Sequence, residues 1–163
     1  MNLNETLSLS KALAIKNRLA GRLAQAKSNI ETYNSVLAGQ VDATGRANVD
    51  VRGEYERFLT LQKALVTVKG TIQRANVSVI EPILELAELK ARLQMLGHLN
   101  TKHGSEPGYG GIEFRYVATL TKPEVQAMTK TLESEIDRIQ DRLNAYNATT
   151  TVELPTSVLD LAR

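Results

Sequence analysis

Residues 3–37 read LNETLSLSKALAIKNRLAGRLAQAKSNIETYNSVL. Taking Leu9, Ala12, Lys16, Leu19, Leu23, Ala26, Ile30, Tyr33 and Leu37 in steps of three and four leaves Lys16 as the one position that is neither apolar nor aromatic. Such spacing, held over four heptads, is the seam of a helix that packs lengthwise on another helix. It predicts a first helix from about Glu5 to Leu37, with Asn4 as N-cap and Gly39 as terminator. At 1.5 Å per residue that helix is roughly 50 Å long. A rod of that length needs partners of similar length.

Three more segments carry the same period. Residues 39–50 (GQVDATGRANVD) read as a loop, with Asn48 or Asp50 able to cap the next helix. That second helix is expected over Val51–Ala75, with the seam Val51, Tyr55, Phe58, Leu61, Leu65, Val68, Ile72 and Ala75. A third begins near Pro82, which a helix tolerates in its first turn, and stops at Gly104. Its seam is Leu86, Leu89, Leu93, Leu96 and Asn100. A fourth opens on Thr121-Lys-Pro-Glu124, the pattern of a capping box, and continues through Val125, Met128, Leu132, Ile136, Ile139, Leu143 and Tyr146. Between the last two helices lie a turn with four glycines (104–111) and IEFRYVATL (112–120), whose period of two marks a strand. Thr149–Leu154 is also β-prone, and pairing with 112–119 would satisfy both backbones. The fold class expected is mainly α: an elongated antiparallel four-helix coiled-coil-like bundle with a small two-stranded β element. Residues 1–154 form one helical domain in this reading. Residues 155–163 (PTSVLDLAR) are a C-terminal tail whose Val158, Leu159 and Leu161 could dock on a partner.

Composition narrows the functional classes. There is no Trp and there are only two Phe and five Tyr, so Leu, Ile, Val and Ala must fill the core, as in thin helical seams. Net charge is +2, too small to indicate nucleic acid by itself. Its distribution is uneven. From Glu5 to Glu31 there are five bases (Lys11, Lys16, Arg18, Arg22, Lys27) and no intervening acid, whereas Glu133, Glu135, Asp137 and Asp141 face one Arg138. The two segments can attract each other within or between chains. Lys11, Arg18 and Arg22 are the candidate cations for a phosphate-bearing partner. No apolar run resembles a signal peptide or reaches the ~18 residues of a membrane span, and the location expected is the cytoplasm or a virion.

Motifs for chemistry are weak. His98 and His103 lie five apart without further ligands at metal-site spacing. Ser8-x-x-Lys11 lacks the companion elements of a serine acyl-transferase. Gly108-Tyr-Gly-Gly precedes a strand, where a phosphate loop would precede a helix. No catalytic, metal or cofactor site is therefore expected, and the chain is expected not to be an enzyme.

Three stretches together resemble the septicolysin-like family of helical proteins from bacteria and phages. They are LNETLSLSKALAIKNRLAGRL at 3–23, IQRAN at 72–76, and IEFRYVATLTKPEVQ at 112–126 followed by a helix ending DRLNAYNATTTVEL at 141–154. The resemblance covers most of residues 3–154. It departs in a short, nearly neutral first loop, in Leu86 and Ala87 where the family has an Arg-Asp pair, and in the added residues after Pro155. The long continuous seams and the lack of visible chemistry lead to the expectation of a structural or scaffold subunit of a larger assembly, homo-oligomeric or joined to other structural proteins, of the kind a phage virion contains. A nucleic-acid-associated protein using the basic first helix is the alternative. The family label alone implies a third reading, a membrane-active oligomer.

Overall fold

The computed structural model describes residues 3–37 and 49–163. The chain is mainly helical, with two small two-stranded sheets. In order the elements are β1 (Asn4–Ser8), α1 (Leu9–Tyr33), α2 (Val51–Ala75), α3 (Ile80–Gly97), β2 (Gly104–Pro107), β3 (Glu113–Tyr116), α4 (Lys122–Thr149), β4 (Thr151–Pro155) and α5 (Thr156–Asp160). Short 3-10 turns at Asn76–Val79 and Tyr109–Gly111 link α2 to α3 and β2 to β3. Two compact units result, Met1–Val77 with Tyr146–Arg163, and Ser78–Ala145.

In the first unit α1 and α2 pack along their seams. Leu9, Ala12, Leu19 and Ala26 of α1 are buried, as are Leu61, Ala64, Leu65, Val68 and Ile72 of α2. The alanines at these positions let the two axes approach closely, because the gap between helices is set by the side chains between them. The helices run antiparallel. Asn29, near the end of α1, donates to Glu54, near the start of α2, at 3.4 Å. At the other end Tyr146 of α4 donates to the Ala75 carbonyl of α2 at 2.6 Å, and Thr150, just beyond it, accepts from the Leu9 amide that opens α1 at 2.8 Å. Asp50 caps α2 by accepting from the Gly53 amide at 3.0 Å. A Cβ at Gly53 would meet that carboxylate, whose side chain would have to shift to keep the cap. The seam fades before its expected end, with Tyr33 and Leu37 exposed. Gly39, the expected terminator, lies outside the described residues, as does Asn48.

The start of α1 differs from expectation. Ser8, not Asn4, is the N-cap and accepts from the Lys11 amide at 3.3 Å. Asn4–Ser8 is instead a strand, antiparallel to β4 in the register Asn4↔Pro155 to Ser8↔Thr151. Leu7, Val152 and Leu154 point into the core from it. The Thr156 amide and hydroxyl both donate to the Leu3 carbonyl, at 2.9 and 2.7 Å. The expected pairing of 149–154 with 112–119 is thereby corrected. Residues 113–116 pair with 104–107, from Gly104↔Tyr116 to Pro107↔Glu113. The tight glycine turn places those two segments side by side, whereas Thr151–Pro155 finds its partner at the opposite end of the chain.

The segment after Pro155 is also part of this unit. Val158 and Leu159 are 7% exposed and Ala162 is 3% exposed, all within the core cluster of α1, α2, β1 and β4. Leu161 is half-buried against the same cluster. The candidate docking side chains are used by the chain's own interior.

In the second unit α3 buries Leu86 and Leu96, and α4 buries Val125, Leu132, Ile136, Ile139 and Leu143. Lys90 donates to Gln140 across the two helices at 3.3 Å. Met128, expected in the seam, is 39% exposed. At the start of α4, Glu124 reaches back as expected. Its carboxylate accepts from both the Thr121 amide (2.8 Å) and the Thr121 hydroxyl (2.6 Å). The hydroxyl donates to the carboxylate because an ionised oxygen is the stronger acceptor. These bonds, the hydroxyl's first, hold the Glu124 pKa below the usual carboxylate range. A depressed carboxylate stabilises the fold above its unfolded pKa, and that contribution is lost as pH falls through its folded pKa. In an NMR pH titration, Glu124 should protonate at lower pH than in Thr121→Ala. Equal midpoints would refute the cap.

Candidate interaction surfaces

Three exposed surfaces combine the features that recognise partners. The first is the basic side of α1. Spacings of seven and four place Lys11, Arg18 and Arg22 on one face of a 3.6-residue helix. The three serve different ends. Arg22 Nη1 donates to the Leu161 carbonyl at 2.7 Å, satisfying one of the free carbonyls that follow α5. Lys11 and Arg18 form no ion pair with any described residue, and the ion pairs present among described residues are all local, three or four positions apart.

Beside Lys11 and Arg18 lies an open groove of about 310 Å³. Its floor is Leu7, Ile15, Leu159 and Ala162, and its rim is Glu5, Lys11, Ala14, Arg18 and Arg163. Arg163 is paired with Asp160 at 2.9 Å. The basic helix and the C-terminal segment, read separately in the sequence, thus form one surface. Val158 does not line the groove; its place is in the core. Long-range pairing of β1 with β4 brings the two together, and no local signal carries that pairing.

The second surface is the outer side of α3. Leu86, Leu89, Leu93 and Leu96 occupy one side of this helix, and each is buried or half-buried. Ile80, Leu84, Ala87, Ala91 and Met95 follow the same three-four spacing, rotated by about half a turn. All five are exposed, Leu84 to 58% and Met95 to 52%. A helix that is apolar on both sides is ordinarily covered on both.

No family model, curated protein or solved structure matches the chain.

The third surface is the β2–β3 hairpin. Gly110 and Gly111 have φ of 75° and 81°, in the left-handed region that a side chain disfavours. A Cβ at Gly108 would collide with the Phe114 ring, so Phe114 folds over the turn while Tyr109 projects outward. Tyr109 is fully exposed, Ile112 is 61% exposed and Glu113 is exposed. At the hairpin base His103 Nδ1 accepts from the Ala118 amide at 3.3 Å. Lys102 donates to Glu106 at 2.7 Å and lies 5.0 Å from the Tyr116 ring centre. The Glu106 hydrogen bond, then its charge, raises the Lys102 pKa above the ordinary lysine value. Among the described residues, no three His, Cys, Asp or Glu side chains are grouped to hold a metal ion, and no helix is long and apolar enough to cross a membrane.

Proposed function

We propose that this chain is a non-enzymatic structural subunit that associates with further copies of itself, and with other structural proteins, in an assembly of the kind a phage virion contains. The observation that carries this reading is the second apolar side of α3. Ile80, Leu84, Ala87, Ala91 and Met95 lie in solvent at helix-packing spacing. Burial of apolar area stabilises association at about 25 cal/mol per Å² before the costs of ordering. In this reading the coiled-coil bundle expected from the seams is completed by a neighbouring copy, whose α3 covers that side.

The commitment of Arg22 to a backbone carbonyl argues against the nucleic-acid alternative. It leaves Lys11 and Arg18 as the free pair on that side of α1, whereas salt-sensitive phosphate binding rests on roughly six to ten contacts.

The assembly reading is tested by Leu84→Glu. Placing a charge in the middle of the exposed stripe should break the α3 contact and lower the sedimentation coefficient in sedimentation velocity, with helix content unchanged by circular dichroism. An unchanged sedimentation coefficient for Leu84→Glu, with the wild type assembled, would show that this side is not the contact.

A further inference from the structure

We infer that the β2–β3 hairpin tip of one copy docks in the α1/α5 groove of a second copy. This rests on the self-association reading above and adds a second, directional contact to it. The two surfaces match in chemistry. The groove offers an apolar floor of Leu7, Ile15, Leu159 and Ala162 beneath a rim on which Lys11 and Arg18, without ion-pair partners among the described residues, outnumber the one carboxylate, Glu5. The tip from Pro107 to Glu113 offers Tyr109 and Ile112 together with one carboxylate, Glu113, and no base. Glu113 has no ion-pair partner among the described residues.

The shape of the tip supports the same assignment. A fully exposed tyrosine held out by a turn whose left-handed backbone favours glycine is a projecting anchor, and buried tyrosines surrounded by apolar contacts dominate many interfaces. Its complete exposure leaves the ring available to a neighbour. Docked there, the ring would cover the floor, and Glu113 would meet Lys11 and Arg18 at the rim, where partial burial strengthens the attraction.

Tip and groove are different patches, so the contact is head-to-tail. Such contacts close into rings when the rotation allows and otherwise extend as filaments.

The absence of cysteine makes the test clean. Full-length Pro107→Cys protein is mixed with full-length Ala14→Cys protein and treated with a short bis-maleimide. The expected product is the mixed dimer, identified by mass spectrometry of the joined peptides. Tyr109→Ala or Arg18→Glu in the respective partner should lower its yield roughly tenfold or more, as loss of an interface anchor does. Light scattering on the same uncrosslinked mixtures separates the two ideas. Association without the mixed product, or a mixed product that survives both substitutions, overturns the hairpin docking and leaves the assembly reading standing. A monomer at every concentration overturns both. Circular dichroism excludes misfolding as the cause of a lost product.

Discussion

Leu154→Ala should destabilise the protein by about 2–5 kcal/mol, the range for removing a large aliphatic side chain from a well-packed interior. Leu154 is 0% exposed. It is the penultimate residue of β4, opposite Glu5 of β1, within the cluster that also holds Leu9, Leu19, Leu61 and Val68. The surrounding elements are held by the β1–β4 ladder and by both Thr156 hydrogen bonds to Leu3, so the core has little freedom to collapse into the cavity. Chemical denaturation followed by circular dichroism measures the loss. A change below about 0.5 kcal/mol, the usual size of a surface substitution, would place Leu154 outside the core.

Deleting residues 157–163 should cost about as much or more. The deletion leaves β4 and Thr156 intact but removes Val158 and Leu159, each worth about 1.5–3 kcal/mol when fully buried. It also removes the carbonyl that Arg22 binds. A total of roughly 3–6 kcal/mol is comparable with the 5–15 kcal/mol that holds a typical domain together. The shortened chain should therefore melt far below the full-length protein in a thermal scan, or fail to accumulate folded. Were the segment a tail free to dock on a partner, as expected from the sequence, the melting temperature would not move.

These two expectations fall where sequence reasoning and structure diverge, for a physical reason. The helices were legible because an amphipathic helix records its buried side in a local period. The seams through Leu9–Ala26, Leu61–Ile72 and Leu132–Leu143 are buried where the three-four spacing places them. The Asp50 cap and the reach of Glu124 back to Thr121 are equally local. The strand β1 was not read: Leu7 and Leu9 alternate with Thr6 and Ser8, but Glu5 breaks the period of two. The helical period that starts at Leu9 overshadowed that short run. The partner of β1 could not be read at all, because strand pairing depends on which distant segment supplies the hydrogen bonds. The second hairpin strand was missed because Gly104–Pro107 lies inside what reads as a glycine turn. The groove shares the fate of β1: its cations were visible as a basic helix and its floor as an apolar tail, but their meeting depends on the β1–β4 ladder. The outer stripe of α3 was present in the sequence at the same spacing as the seam, and the stronger row of leucines concealed it.

The measurement that bears most directly on self-association is the absolute mass of the full-length protein by multi-angle light scattering over a wide concentration series. A mass that rises from the 17.9 kDa chain to a defined multiple, or that continues to grow as head-to-tail contacts accumulate, is the predicted result. A mass that stays at one chain across the series, with helix content intact, would contradict self-association as the role of the exposed α3 side.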